Sequence, residues 1–316
     1  MPRHETDSSA GVARRTGPGY RAREIMACYG LSLATLALLA VFVYLPVAWA
    51  FVSSFYEFEI GAPARFMGLG NYTELVARDP IVWPAFVNMV LFTLIAVVIR
   101  LTVPLLVAKL IISLPGERER YFYRVIFLIP IVVPGVAVQL IWSGLIYADR
   151  GLVNEMLNAA GLGGWATGWL SNPRTALLAC AFIGFPFASG MEVLIYYAGL
   201  AGIPQSVNEA AALEGCTGLR KFFYIDVPMV MSQLKLILIL TVIGGVQAYE
   251  GLFILTKGGP GFATTVPALW MYYNAFSFQR MGYACAIGVA LFAIIFGITV
   301  INLRYFKSTE ELEGIK

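Results

Sequence analysis

Three stretches of this chain carry no charged residue over a length that can cross a bilayer: Ile25–Tyr56, Val125–Ala148 and Met281–Leu303. A helix rising 1.5 Å per residue needs about 20 apolar residues to cross a hydrocarbon core about 30 Å thick. Three more stretches of similar length are interrupted by ions: Trp83–Ile111 by Arg100, Thr175–Gly199 by Glu192 and Leu236–Leu255 by Glu250. The expectation is an all-α polytopic membrane protein with six transmembrane helices, the ion-bearing spans being the weaker three. Composition agrees, with 59% hydrophobic and 13% charged residues. Before about Arg23 the chain is polar, Gly-rich and unpatterned, so residues 1–24 read as a disordered tail and 307–316 as a short second one. Ala48-Trp49-Ala50 imitates a cleavage site, but the apolar run before it is far longer than a signal sequence needs, which makes it an uncleaved span.

Orientation follows from where Lys and Arg fall. With the N-terminus inside, cytoplasmic segments hold fifteen of them and outer segments hold six. Both termini and the polar stretch 203–228 are therefore expected in the cytoplasm. This bias also accounts for the net charge of +3, so no nucleic-acid partner is implied.

Several chemistries are excluded. The single histidine is His4, in the N-terminal tail, which argues against a His-based acid–base pair or a His-ligated metal. Cys28, Cys180, Cys216 and Cys285 are scattered, with no C-x-x-C spacing, so neither zinc nor a disulfide framework is indicated. No G-x-x-x-x-G-K-[ST] occurs; Lys257-Gly258-Gly259-Pro260-Gly261 lacks the Lys-Ser/Thr that completes a phosphate cradle. If ATP drives this molecule, it binds on another polypeptide.

The segment Ile203–Pro228 is a polar helix-forming insert between two apolar spans. Pro204 suits a first helical turn, and the run through Glu214 is rich in Ala, Glu and Leu. Gly215 offers the left-handed backbone that stops a helix. Thr217 can cap a second short helix, with Leu219, Phe222 and Phe223 expected on one face and Pro228 closing the unit. The ordered set Ile203-Pro204, Glu209-Ala210-Ala211, Gly215, Ile225 and Pro228 resembles the cytoplasmic EAA loop of binding-protein-dependent ABC importer permeases; Glu214 stands where that family has Asp. Phe66-Met67-Gly68-Leu69-Gly70-Asn71-Tyr72, Gly151-Leu152-Val153-Asn154, Trp169-Leu170-Ser171, Leu255-Thr256-Lys257-Gly258-Gly259-Pro260 with Thr264 and Thr265, and Gly282-Tyr283 are similar to elements of the maltose and glycerol-phosphate type of carbohydrate importer. The likeness runs from about Ile25 to Phe306.

The resemblance implies a permease subunit of the bacterial inner membrane working by alternating access. Its substrate would be a sugar, oligosaccharide or polyol phosphate. It implies partners: a second homologous permease, two nucleotide-binding ATPase subunits that hold ATP and Mg²⁺, an extracytoplasmic solute-binding protein, and lipid, with no cofactor on this chain. Glu209, Ala210, Ala211, Gly215 and Pro228 would form the coupling element, the alanines giving a small-residue face and Glu209 a charged contact to the ATPase. Ions inside a span are costly and tend to face a cavity or a partner. Glu250 beside Tyr249, and Glu192, are thus candidates for the substrate path, with Gln139, Trp142 and Asn274 as further hydrogen-bonding or stacking groups. Two other readings stand beside this: Glu250 reaching the interface, and Glu192 and Arg100 satisfying each other. The competing function is an ion- or proton-coupled secondary carrier using Glu192 and Glu250, which helices broken near mid-membrane would favour.

Overall fold

The computed structural model describes residues 18–59, 61–186 and 190–305. Residues 1–17 of the expected N-terminal tail, and all of the tail 307–316, lie outside the described residues. Residues 18–24, expected in the first tail, are instead helical, because the first helix begins at Pro18. The regular structure of the described chain is almost all helical, with a single two-stranded ribbon pairing Tyr56–Glu57 with Arg65–Phe66.

Residues up to Val52 form one unit and those from Ser53 another. The first unit is one helical run, Pro18–Leu39, a π-helical turn Ala40–Tyr44, and Leu45–Ser53. The wide turn comes just before Pro46, and the Phe222–Asp226 π-turn likewise precedes Pro228. Proline has no N–H to bond the carbonyl four residues back and its ring crowds that carbonyl, so widening the helix there relieves the clash.

In the second unit one of the three ion-bearing spans is continuous and one of the uncharged spans is bent. Val82–Ile112 is a single 31-residue helix that runs through both Arg100 and Pro104. The uncharged third span is the bent one: Glu117–Val132 and Gly135–Ile146 meet at 91°. Val133 is extended (ψ 127) because the ring of Pro134 disfavours helical backbone in the residue before it. The fourth span is divided into Ala176–Ala181 and Gly190–Ala201. The fifth is divided into Met231–Val246 and Glu250–Thr256, and the sixth, Met281–Tyr305, is continuous. Breaks thus occur in the uncharged third span as well as in the ion-bearing fourth and fifth, while the ion-bearing second span is continuous.

Two apolar cores hold this unit together. One gathers Leu75, Val82, Met89, Leu252, Leu269, Tyr283 and Ile287 near the extramembrane loops. The other gathers Leu105, Ala108, Ile111, Val193, Tyr196, Ile203, Phe222 and Ile237 beside the 203–228 segment. Along the second span, the fully buried core residues stop at Met89 and resume at Leu105, with Phe92 and Leu101 only partly buried against the two cores. A cavity opens there.

Candidate functional site

The cavity, about 440 Å³, lies where the broken spans converge. Its walls include Phe92, Ala96 and Arg100 of the second span, Gln139 of the third, Phe185-Pro186 at the break of the fourth, and Gly244 to Glu250 across the break of the fifth. The second and fifth spans touch closely at Gly245, where an added Cβ would sit 2.3 Å from Thr93 Oγ1. Four of the sequence-derived candidates meet nearby, but not all six. Gln139, Tyr249 and Glu250 line the cavity, whereas Glu192 reaches it only through Arg100, by an ion pair of 2.8 Å between Nη1 and Oε1. Trp142 packs edge-on against Tyr147, and Asn274 is 1% exposed with its Nδ2 donated to the Trp270 carbonyl. Neither belongs to the cavity wall.

The charges have distinct settings. Glu192 is largely buried and Arg100 is half exposed, so each offsets the desolvation of the other and Glu192 is not a free acid. Glu250 makes no hydrogen bond or ion pair among the described residues. It opens the Glu250–Thr256 helix, whose unpaired first N–H groups favour a carboxylate. The Oε1 of Gln139 is buried without a partner. Tyr249 stacks on Tyr272 with ring centroids 6.0 Å apart. Together these present acceptors and an aromatic face, the chemistry that holds a hydroxyl-rich molecule.

The 203–228 segment folds as a compact helical unit. Its first helix is Gln205–Leu213, with Pro204 at the N-cap, one position earlier than expected. Gly215 has φ +69, and the amides of Gly215 and Cys216 bond the carbonyls of Ala212 and Ala211. These are the two bonds of a Schellman ending, which requires the left-handed residue that glycine supplies most easily. Thr217 occupies the second N-cap, but its side chain makes no capping bond. The expected common face of Leu219, Phe222 and Phe223 is split by the π-turn: Phe222 is buried in the core, while Leu219, Phe223 and Tyr224 stand exposed. Pro228 does not end the unit; it lies inside Val227–Met229, and the chain bends by 69° at Val230. The alanine face also divides. Ala211 is buried inside this chain, whereas Ala210 stays exposed beside Glu209, which accepts a bond from Gln205 Nε2 at 2.7 Å.

Sequence reasoning missed Asp226. It is 1% exposed, and its two oxygens hold Lys109 Nζ at 2.5 Å and Lys221 Nζ at 2.7 Å. The available signal was an acid within the largely apolar stretch Phe222–Met231.

The elements outside this unit prove to be fasteners of loops. Asn71 Nδ2 is donated to the Ser54 and Tyr56 carbonyls, Thr264 and Thr265 hydroxyls to the carbonyls of Gly259 and Gly258, and Tyr283 Oη to Asp79, which also receives Trp270 Nε1. Asn154 is the hub of the Gly151–Ser171 loop, donating to the carbonyls of Asp149 and Thr167 at 3.0 Å and accepting from Thr167 N and Trp169 Nε1. An Asn154→Leu variant strands these groups and is expected to loosen the loop by about 2–3 kcal/mol. Limited proteolysis between residues 148 and 170 reads this as faster cleavage.

A family profile described as the inner-membrane component of binding-protein-dependent transport systems matches residues 101–306, well over half of the sequence. The chain belongs to that family. This inner-membrane component is 34% identical over 289 residues to the sulfoquinovosyl glycerol transport system permease protein SmoG of Agrobacterium fabrum, across 90% of this chain and 92% of the relative. It is 29% identical over 285 residues to the trehalose/maltose transport system permease protein MalF of Thermococcus litoralis, across 89% and 94% respectively. A crystal structure of a bacterial alginate ABC transporter in complex with an alginate pentasaccharide-bound periplasmic protein holds a chain of the same fold, with TM-score 0.75, 18% identity, and 92% and 98% of the two chains covered. The matched segment of the inner-membrane component contains the 203–228 unit and all three bent or divided spans of the cavity wall.

Proposed function

We propose that this chain is a permease subunit of an ATP-driven importer for a sugar, oligosaccharide or polyol phosphate. The observation that carries the reading is family membership together with a helical unit whose exposed face is apolar: Leu213 (90% exposed), Leu219, Phe223 and Tyr224 project from a polar segment. An apolar patch of this kind on a loop unit is a protein-docking surface. Its partner in this reading is an ATPase subunit, one of two that hydrolyse ATP with Mg²⁺, with Glu209 and Ala210 at the contact and Gly215 setting the angle of the unit. Ala211 and Pro228 support that contact from within the fold. A second, homologous permease and an extracytoplasmic binding protein complete the assembly; SmoG and MalF, by their names, serve transport systems for sulfoquinovosyl glycerol and for trehalose and maltose. In this reading both termini and the 203–228 unit lie on the cytoplasmic side of a bacterial membrane, which the excess of Lys and Arg in those segments supports.

Alternating access then exposes the cavity at Arg100, Gln139, Tyr249 and Glu250 to each side in turn, with Tyr249 stacking on a sugar ring and Glu250 and Gln139 accepting hydrogen bonds from its hydroxyls. Broken spans, which were weighed as a mark of a gradient-driven carrier, occur here within an ABC-type family and so do not separate the two. The Arg100–Glu192 ion pair leaves that carrier reading without a free acid at Glu192.

The test is purification of the tagged chain in mild detergent after expression with its neighbouring genes. The expected result is co-purification of a second permease and an ATPase, with ATP hydrolysis stimulated by a carbohydrate-loaded binding protein. Recovery of the chain alone, without ATPase activity, rejects the proposal.

A further inference from the structure

We infer that Asp226 is the positioning residue that makes the 203–228 unit and the second span move as one body, which carries motion of the unit to the cavity. The inference rests on the importer reading above and adds to it the part that transmits the motion. Three features support it.

The carboxylate is almost wholly buried and divides its oxygens between two elements. Oδ1 takes Lys221, inside the unit, and Oδ2 takes Lys109, near the end of the second span. Lys221 and Asp226 are five residues apart, which an ordinary α-helix would turn well away from each other. The Phe222–Asp226 π-turn, with its i to i+5 bonding, brings them to one side. The wide turn therefore builds the clamp.

The second span is also the one long helix that passes the cavity unbroken. Lys109 lies nine residues beyond Arg100, roughly 13 Å along the axis. The span is consequently tied at two levels, by Arg100 to Glu192 of the fourth span and by Lys109 to Asp226 of the unit. The fourth span itself runs into the unit at Ile203.

Around the clamp the packing is apolar, with Ile203 and Phe222 of the unit in one buried cluster with Ala108 and Ile111 of the span. Apolar burial is non-directional and tolerates sliding. Two charge-assisted hydrogen bonds on a buried carboxylate fix distance and direction.

The experiment uses the full assembly in proteoliposomes and reads carbohydrate taken up per ATP hydrolysed, with subunit co-purification and thermal midpoint recorded for each variant. Asp226→Asn keeps the shape and removes the charge; Lys109→Gln cuts only the link to the span; Lys221→Gln cuts only the link within the unit. Asp226→Asn and Lys109→Gln are each expected to lower the ratio about tenfold, with assembly intact. Their double variant is expected to be no worse than either alone, because both remove the same link. Lys221→Gln is expected to stay within about twofold of the wild type. An unchanged ratio in Asp226→Asn, additive losses in the double variant, or losses that track disassembly overturn the inference while wild-type uptake stands. A wild-type assembly with no ATP-dependent uptake overturns the importer reading, and this inference with it.

Discussion

Gly282→Ala is expected to lower accumulation of the folded protein in the membrane severalfold. A Cβ on residue 282 would lie 1.9 Å from the carbonyl oxygen of Tyr56 and 3.1 Å from the amide of Phe58. Both are backbone atoms, and the same backbone accepts the Gly282 amide on the Phe58 carbonyl at 3.1 Å. No side chain can swing aside to make room. Either the start of the sixth span withdraws, or the Tyr56–Phe66 ribbon moves and breaks its bond to Gly282. Nearby, Arg280 pairs with both oxygens of Glu74, and Tyr283 bonds Asp79, so withdrawal also disrupts these contacts. The cost is about 3 kcal/mol or more, the upper range for overpacking a tight site, against a total stability of about 5–15 kcal/mol. Gly297→Ala in the same helix meets nothing within 4 Å and serves as the control, neutral or slightly stabilising. Membrane accumulation and thermal midpoint in detergent check both; equal behaviour of the two variants refutes the close approach.

The second large effect is functional. Gly215→Val is expected to cut ATP-dependent uptake by more than tenfold while the spans stay folded. The space beside residue 215 is open, with nothing within 4 Å of an added Cβ, so the penalty comes from the backbone alone. At φ +69 a β-branched side chain collides with its own carbonyls, at a cost of about 1–3 kcal/mol. The Schellman bonds of Gly215 and Cys216 are then lost, and the direction in which Leu219, Phe223 and Tyr224 project changes with them. Gly215→Asn sets the scale, because Asn visits the left-handed region readily and is expected to keep most of the uptake. Uptake assays beside a thermal-melting control decide this. A Val variant that transports like the wild type removes Gly215 from the coupling role.

Much of this was legible without coordinates. Long uncharged runs fix a helical membrane protein because only segments that satisfy their own backbone survive in hydrocarbon. The turn at Gly215 was legible because only a few residue types accept its φ, whereas the third span reads as one uninterrupted run, and its break became visible only in the extended backbone that Pro134 forces on Val133. Pairing between distant residues had no such local signature. Glu192 and Arg100 are 92 positions apart, and Lys109 and Asp226 are 117 apart. Nothing in the sequence near either acid says whether it faces an open path or a partner, so Glu192 stood open between the path and a pairing with Arg100, and Asp226 was overlooked. Trp142 and Asn274 fell outside the cavity for a related reason: residue type suits them to sugar binding, but tertiary packing decides which residues of a span face the cavity.

The sequence by itself determined the membrane class, the six spans, the place of the helical unit and the residue that turns it, since each depends on solvation or on one residue's backbone preferences. Only the tertiary structure decided which ions neutralise each other, which alanine is buried, and which asparagines tie the loops. Those outcomes depend on helix crossings a few ångströms wide, where the position of one carbonyl, such as that of Tyr56, decides whether a Cβ can exist at all.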